Sequence, residues 1–310
     1  TKAKDERMHL LSEEKELVTS SLARLLCRTG DAQAKQGRFE IAAQLIDLAF
    51  EVAEVINDKA TLAWCYVYRG LVLYRQSQYP IALENYQLAL PLFREVKDRK
   101  GEMETLKNIG DVHSSTSNYS EALRFYEESL KIAEEINSKD GKARVLNNMG
   151  EVYRLIGRYK KALEAFEESL KIEQELGDRE GEAETLNNIG NVYCLIGEYE
   201  DALETYEMSL KIAKEIGDKA GESIALGNIG VVYELTGKYS QALEAYEVSL
   251  KIKRNLGDKI GEALTLNNIG IVYQFTGRYQ EALEKYEESL RIAREIGNKA
   301  AESTAVTNLG

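Results

Sequence analysis

Residues 181–220 read GEAETLNNIGNVYCLIGEYEDALETYEMSLKIAKEIGDKA, and residues 221–260 repeat that line with Leu, Asn, Ile, Gly, Val, Tyr, Gly, Tyr, Ala, Leu and Tyr in register. Outward from there, one column marks the period: Gly30, Gly70, Gly110, Gly150, Gly190, Gly230, Gly270 and Gly310, spaced by 40 residues each time. A fixed period of this length marks a repeat array. One unit cannot bury its own apolar face, so its neighbour completes the core.

Each block holds two apolar runs at intervals of three and four: Leu186, Ile189, Val192 and Tyr193, then Ala202, Leu203, Tyr206, Leu210 and Ala213. That is the period of an amphipathic helix, not of a strand. Gly197 lies between the runs and Gly217 follows the second, each where a residue able to adopt positive φ ends a helix. Asp218 then takes the N-cap position, and Glu222 adds negative charge to the next first turn. The unit is therefore helix A, tight turn, helix B, short loop.

Leu186, Ile189, Gly190, Tyr193, Ala202, Tyr206 and Ser209 stand at the spacing of the tetratricopeptide repeat, and the block resembles that family. The usual unit is about 34 residues; here the extra length falls at the end of helix B and in the loop. This longer form, with Asn-Asn-Ile-Gly and Ile-Gly-Asp-Lys signatures, is similar to the repeats of LGN-type polarity adaptors, kinesin light chains and many bacterial and archaeal regulators. The resemblance implies an all-α fold, an α-solenoid: a right-handed superhelix of antiparallel helix-turn-helix hairpins, with A helices lining the concave surface and B helices outside. The columns fit that packing. Glycine inside helix A costs roughly 1 kcal/mol against alanine, which is offset only where another element comes very close. The tyrosine columns at 79–279 and 86–286 read as core.

The expected organisation is a lead-in segment at 1–18, divergent repeats at 19–57 and 58–97, repeats at 98–137, 138–177, 178–217, 218–257 and 258–297, and an unfinished helix A at 298–310. The chain begins with threonine and ends inside a helix, so it reads as a piece of a longer protein. Divergence marks the early repeats: His113 stands in a tyrosine column, reading as core, and Ser117 replaces a turn glycine. Pro80 suits a first turn, whereas Pro91 falls inside a helix B and is expected to kink it.

Composition removes several function classes. No run of 18 apolar residues occurs, so no membrane span is expected, and no signal peptide is visible. Cys27, Cys65 and Cys194 show no pairing pattern, which fits a reducing, cytoplasmic compartment. A net charge of -12 opposes binding to nucleic acid, whose phosphates demand many basic contacts. The two histidines, His9 and His113, lie on distant elements, and none is expected near Cys194. No phosphate-binding glycine loop or metal-ligand spacing occurs. Neither enzyme chemistry nor a cofactor or metal is expected. The Gly-Asp-Lys-x-Gly-Glu loops lack calcium spacing and read as helix caps.

The candidate peptide-binding residues lie on the A helices. Asn108, Asn148, Asn188, Asn228, Asn268 and Asn308 precede the key glycine by two positions, joined by Asn147, Asn187 and Asn267 just before them and by Asn191 just after the glycine. An amide both donates and accepts, so such a ladder suits the backbone of an extended peptide. The resemblance to adaptors and kinesin light chains implies that use; the alternative is that each asparagine bonds a neighbouring helix and orders the stack. Toward the N-terminus the face offers Arg24, Arg28, Lys35, Arg75, Lys107, Arg144 and Arg154 with Trp64 and Tyr68. Toward the C-terminus it offers Val231, Ile271 and Phe275. The carboxylate clamp of chaperone-binding relatives is absent, because Asp111 follows Lys107 and Glu184 stands where lysine is needed. The expected function is a scaffold that binds a protein or peptide, or another part of its own chain, along the groove. The alternative is a sensing array that regulates an attached CHAT-type protease or signalling ATPase.

Overall fold

The structure, a computed structural model, describes residues 19–309. The expected lead-in segment, His9 included, lies outside the described residues. All the elements are helices, and no strand occurs among the described residues. The A helices are α1 (Ser20–Lys35), α3 (Lys59–Arg75), α5 (Arg99–Ser115), α7 (Lys139–Leu155), α9 (Arg179–Ile196), α11 (Lys219–Leu235), α13 (Lys259–Phe275) and α15 (Lys299–Leu309). The B helices are α2 (Phe39–Ile56), α4 (Tyr79–Val96), α6 (Tyr119–Glu135), α8 (Tyr159–Leu176), α10 (Tyr199–Ile216), α12 (Tyr239–Leu256) and α14 (Tyr279–Glu295).

The chain divides into two compact units, one ending at Ile156 and one beginning at Gly157. In the first, α1 pairs with α2, α3 with α4 and α5 with α6; in the second, α9 pairs with α10, α11 with α12 and α13 with α14. Within each unit every A helix also touches the next A helix. Each unit is thus a stack of antiparallel hairpins, an α-solenoid.

The turns follow the expected chemistry. Gly197 and Gly217 take φ of 86° and 74°. Ser117, in a glycine column, is held at φ 60°, a region that costs a side chain energy. In the A-helix caps, the Asp98, Asp178 and Asp258 carboxylates accept the N–H of Gly101, Gly181 and Gly261 at 2.9, 3.0 and 2.9 Å. Asp218 sits at the same place without that bond. The next glutamate is buried and held from both sides. Glu262 receives Arg254 at 2.7 Å and Lys259 at 2.9 Å; Glu102 receives Arg94 at 2.8 Å and Arg99 at 2.5 Å. The loop motif is therefore a cap plus an ionic clip, tying the preceding B helix to the next A helix. Among the described residues no cluster of His, Cys, Asp and Glu could hold a metal ion.

The glycine column explains itself through the B helix. A Cβ on Gly110, Gly190, Gly230 or Gly270 would lie 2.5–2.6 Å from a ring carbon of Tyr126, Tyr206, Tyr246 or Tyr286, all of them buried. Each ring lies close against bare backbone. Its hydroxyl then passes to the A helix, donating to Asp111 at 2.8 Å, Asn191 at 2.7 Å, Glu234 at 2.9 Å and Gln274 at 2.8 Å. A second tie repeats beside it. Ser129, Ser209, Ser249 and Ser289 donate to the carbonyls of Met103, Ala183, Ser223 and Ala263 at 2.7–2.8 Å. Pro80 opens α4, and α4 continues through Pro91 to Val96.

One column breaks its own rule. Ala53, Ala133, Ala213 and Ala293 are buried, but Phe93, Glu173 and Lys253 occupy the same register. Glu173 is 3% exposed. Its Oε1 accepts Ser169 and Thr185 at 3.0 Å each, while its Oε2 has no partner among the described residues. Burial raises its pKa, partly offset by the Thr185 and Ser169 bonds. A carboxyl with a raised folded pKa contributes stability that is fully present below its unfolded pKa and lost as pH rises through the folded value. Glu173→Gln is therefore expected to stabilise the second unit by about 1–2 kcal/mol at neutral pH, and to change little near pH 4. Urea unfolding followed by circular dichroism at the two pH values checks this.

Candidate functional site: the A-helix face

Successive A helices repeat the same positions at their outer surface, so side chains 40 residues apart form rows. One row is Arg24, Trp64, Glu104 and Arg144 in the first unit and Glu184, Ile224 and Leu264 in the second. The next, one turn on, is Arg28, Tyr68, Asn108 and Asn148 in the first unit and Asn188, Asn228, Asn268 and Asn308 in the second. Rows one turn apart share a helix face because of the 3.6-residue period.

The asparagines divide by depth. Asn108, Asn147 and Asn267 are buried, at 4–9% exposure. Asn148, Asn187, Asn188, Asn191, Asn228 and Asn268 are half-buried. Adjacent A helices are joined through them. Asn148 donates to Asp111 at 2.8 Å, Asn228 to Asn187 at 2.9 Å and to Asn191 at 3.3 Å, and Asn308 to Asn267 at 2.8 Å. Asn191 also accepts the Tyr206 hydroxyl, so the ladder connects to the core tyrosines. At Gly227 the inner asparagine is missing, and a Cβ there would sit in ordinary contact 3.7 Å from Ser249 Oγ.

The basic residues expected on the N-terminal part of this face do not act together. Arg75 is held by Asp31 at 2.5 Å and Lys35 approaches the same carboxylate at 3.6 Å. Arg154 pairs with Glu151 at 2.6 Å. Neither Arg75 nor Arg154 borders the cleft that α1, α3, α5 and α7 form in the first unit. That cleft, of about 540 Å³, brings together Arg24, Arg28, Lys107, Arg144, Trp64 and Tyr68, and Asn108 borders it as well. Sequence reasoning missed six of its residues: the charged Asp31, Asp98, Lys100 and Glu104 and the apolar Val67 and Leu71. The Trp64 indole donates to Asp98 at 3.3 Å, packs edge-on against Phe93 at 5.1 Å and lies 6.3 Å from the Tyr68 ring.

Other candidates find structural places. His113 is half-buried rather than core, stacked on Phe125 at 5.3 Å; burial lowers its pKa. Cys27 and Cys65 are buried with sulfurs 3.8 Å apart. Cys194 is half-buried and burial raises its thiol pKa, the opposite of an activated nucleophile. In the second unit Val231 and Ile271 are half-buried, and Phe275 is 65% exposed, stacked on Tyr239 at 6.0 Å. Among the described residues no helix is long and apolar enough to cross a membrane.

Repeated hairpins, a glycine facing a tyrosine ring, and a ladder of amides between A helices define a helical-repeat array. The tetratricopeptide repeat family matches at residues 21–95, 60–135, 101–175, 141–215, 181–255, 221–295 and 261–310, so the chain belongs to that family. Among curated proteins none matches. Of solved structures, BtubC (BKLC) from P. vanneervenii is similar at 23% identity and TM-score 0.60, over 73% of this chain and 92% of that one. A Rap protein complexed with competence and sporulation factor is similar at 14% identity and TM-score 0.62, over 94% of this chain and 97% of that one. The STAND protein PH0952 from Pyrococcus horikoshii, which has a tetratricopeptide repeat sensor, is similar at 18% identity and TM-score 0.71. That match covers 91% of this chain and 43% of the other.

Proposed function

We propose that the chain is a protein-interaction scaffold, without catalysis of its own, that captures an extended peptide segment on its A-helix face in the cytoplasm. The observation that carries this reading is the half-buried amide that recurs at one register position of the A helices, at Asn148 in the first unit and at Asn188, Asn228 and Asn268 in the second. Asn148 and Asn228 spend a donor on the neighbouring helix. That bond fixes the amide plane while the group stays partly open, and a preorganised amide loses less entropy on binding a ligand backbone. Ordering the stack and binding a peptide are thus two uses of one ladder. Membership of a repeat family supports the reading, as does the similar Rap protein that is complexed with competence and sporulation factor.

The test is selection of a binding peptide from a random library, followed by fluorescence polarisation with the wild type and with the combined Asn148→Ala, Asn188→Ala, Asn228→Ala and Asn268→Ala variant. Each hydrogen bond contributes about 0.5–1.5 kcal/mol net, so binding is expected to weaken about tenfold or more while circular dichroism keeps its helical signature. Unchanged affinity in the folded variant would leave the asparagines with a structural role alone.

A further inference from the structure

The cleft of the first unit carries a charge pattern that the amide ladder does not explain. Its three acids are already engaged: Asp31 with Arg75 at 2.5 Å, Asp98 with the Gly101 N–H at 2.9 Å and the Trp64 indole at 3.3 Å, and Glu104 with Arg144 at 2.7 Å. Two of its cations are engaged as well, Lys107 with Asp111 at 2.8 Å and Arg144 with Glu104 and Asp140. Arg24, Arg28 and Lys100 are exposed, line the same cleft, and have no acidic partner among the described residues. Arg28 lies close enough to Tyr68 to offset part of the burial that raises the phenol's pKa. The cleft is therefore locally cationic in a chain of net charge -12.

The placement is ordered. Arg24 and Arg28 stand one turn apart on α1, Trp64 and Tyr68 one turn apart on α3, and Lys100 at the start of α5. Two cationic edges thus flank a floor of Trp64, Tyr68, Val67 and Leu71. Trp64 is held by its bond to Asp98 and by the edge of Phe93, so the floor is rigid before any ligand arrives. Packed helices lie roughly 8–10 Å apart, which puts α1 and α5 roughly 16–20 Å apart across α3. An extended peptide rises about 3.3 Å per residue, so that distance spans five or six residues.

We infer that this cleft is the specificity-determining end of the scaffold, and that it takes an acidic peptide segment in which two carboxylates, five or six residues apart, flank an aromatic or large aliphatic side chain. The inference rests on the proposed peptide-binding role of the A-helix face and names the partner's chemistry. The carboxylates meet Arg24 and Arg28 on one side and Lys100 on the other, and the central side chain stacks on Trp64 and Tyr68. Nucleic acid is disfavoured by the overall negative charge, since phosphate binding needs many basic contacts.

Trp64 is the single tryptophan of the chain, so its fluorescence reports on the cleft alone. The probe is the capped peptide Glu-Ser-Gly-Phe-Gly-Ser-Glu, titrated into the full chain. The control carries Gln in place of both Glu, and a single-stranded thymidine oligonucleotide serves as a second competitor. Saturable change in Trp64 emission with the acidic probe is expected, weakened about tenfold or more by the Gln control and by the combined Arg24→Glu, Arg28→Glu and Lys100→Glu variant, and weakened by added salt. These three positions are exposed, and circular dichroism verifies the fold. Equal binding of the Gln control, full affinity in the charge-reversed variant, no response to the acidic probe, or tighter binding of the oligonucleotide would each overturn the inference. If that happens while the library-selected peptide still binds and still depends on the asparagines, the scaffold reading stands and only the cleft assignment falls. If no peptide of either kind binds, both fall.

Discussion

Gly230→Val is expected to destabilise the second unit by about 3 kcal/mol, whereas Gly227→Ala, on the same helix α11, is expected to stabilise it by about 1 kcal/mol. Helix propensity alone favours both changes, since glycine is the poorest ordinary helix former. Space decides the sign. A Cβ on Gly230 would lie 2.6 Å from Cδ1 and Cε1 of Tyr246. That ring is buried, and its hydroxyl is tied to Glu234 at 2.9 Å, so it has nowhere to move. A Cβ on Gly227 would meet Ser249 Oγ at 3.7 Å and Lys253 Nζ at 3.9 Å, which is ordinary contact. Repeat arrays share stability between neighbours and need not unfold in one step. Hydrogen exchange resolved by helix is therefore the measurement: α11 and α12 should exchange faster in the first variant and slower in the second. Similar exchange in both would mean that glycine recurs here for a reason other than the tyrosine ring.

Phe93→Ala is expected to cost about 3–5 kcal/mol in the first unit and to change the environment of Trp64. Phe93 is fully buried at a position where Ala53 and Ala133 serve elsewhere in this unit, so the surroundings are built around its ring. The ring fills the space where a Cβ on Gly101 would stand, and it supports the indole of Trp64 edge-on. Truncation leaves a cavity that packed helices close only in part. Urea unfolding gives the energy, and Trp64 emission in the folded variant reports the loosened floor. An emission spectrum unchanged from wild type would mean that the Asp98 bond alone positions the indole.

The hairpins were legible because the information is local and repeated. Gly197, Gly217 and Asp218 name a turn, a stop and a cap within one block, and the glycine-to-tyrosine pairing recurs often enough to expose its period. The Gly-Asp-Lys-x-Gly-Glu loop was legible as a cap; its ionic clip was not, because Arg254 and Arg94 come from the preceding helix. The candidate site was less legible. Neighbouring residues on a helix point about 100° apart, so packing decides that Asn147 turns inward while Asn148 stays half-buried. Asp31 sits on α1, Asp98 caps α5 and Lys100 lies in its first turn, and no spacing in the sequence groups these three around Trp64. Arg75 and Arg154 belong by register to the basic end; Glu151, which holds Arg154, is three residues away on the same helix, but Asp31, which holds Arg75, is on another helix and appears only in three dimensions. His113 shows the same limit: its tyrosine column suggested core, but Tyr153, Tyr193, Tyr233 and Tyr273 are half-buried as well, and His113 sits there stacked on Phe125.

The central claim is that a peptide lies on the A helices. The most direct measurement is photo-cross-linking of a library-selected peptide carrying benzoylphenylalanine, with the adducts located by mass spectrometry. The account predicts adducts on A helices, at or beside the rows of Arg24, Trp64, Arg144 and Asn148 in the first unit or of Asn188, Asn228 and Asn268 in the second. Adducts confined to the glutamate-rich B helices, such as Tyr159–Leu176 or Tyr199–Ile216, would contradict it.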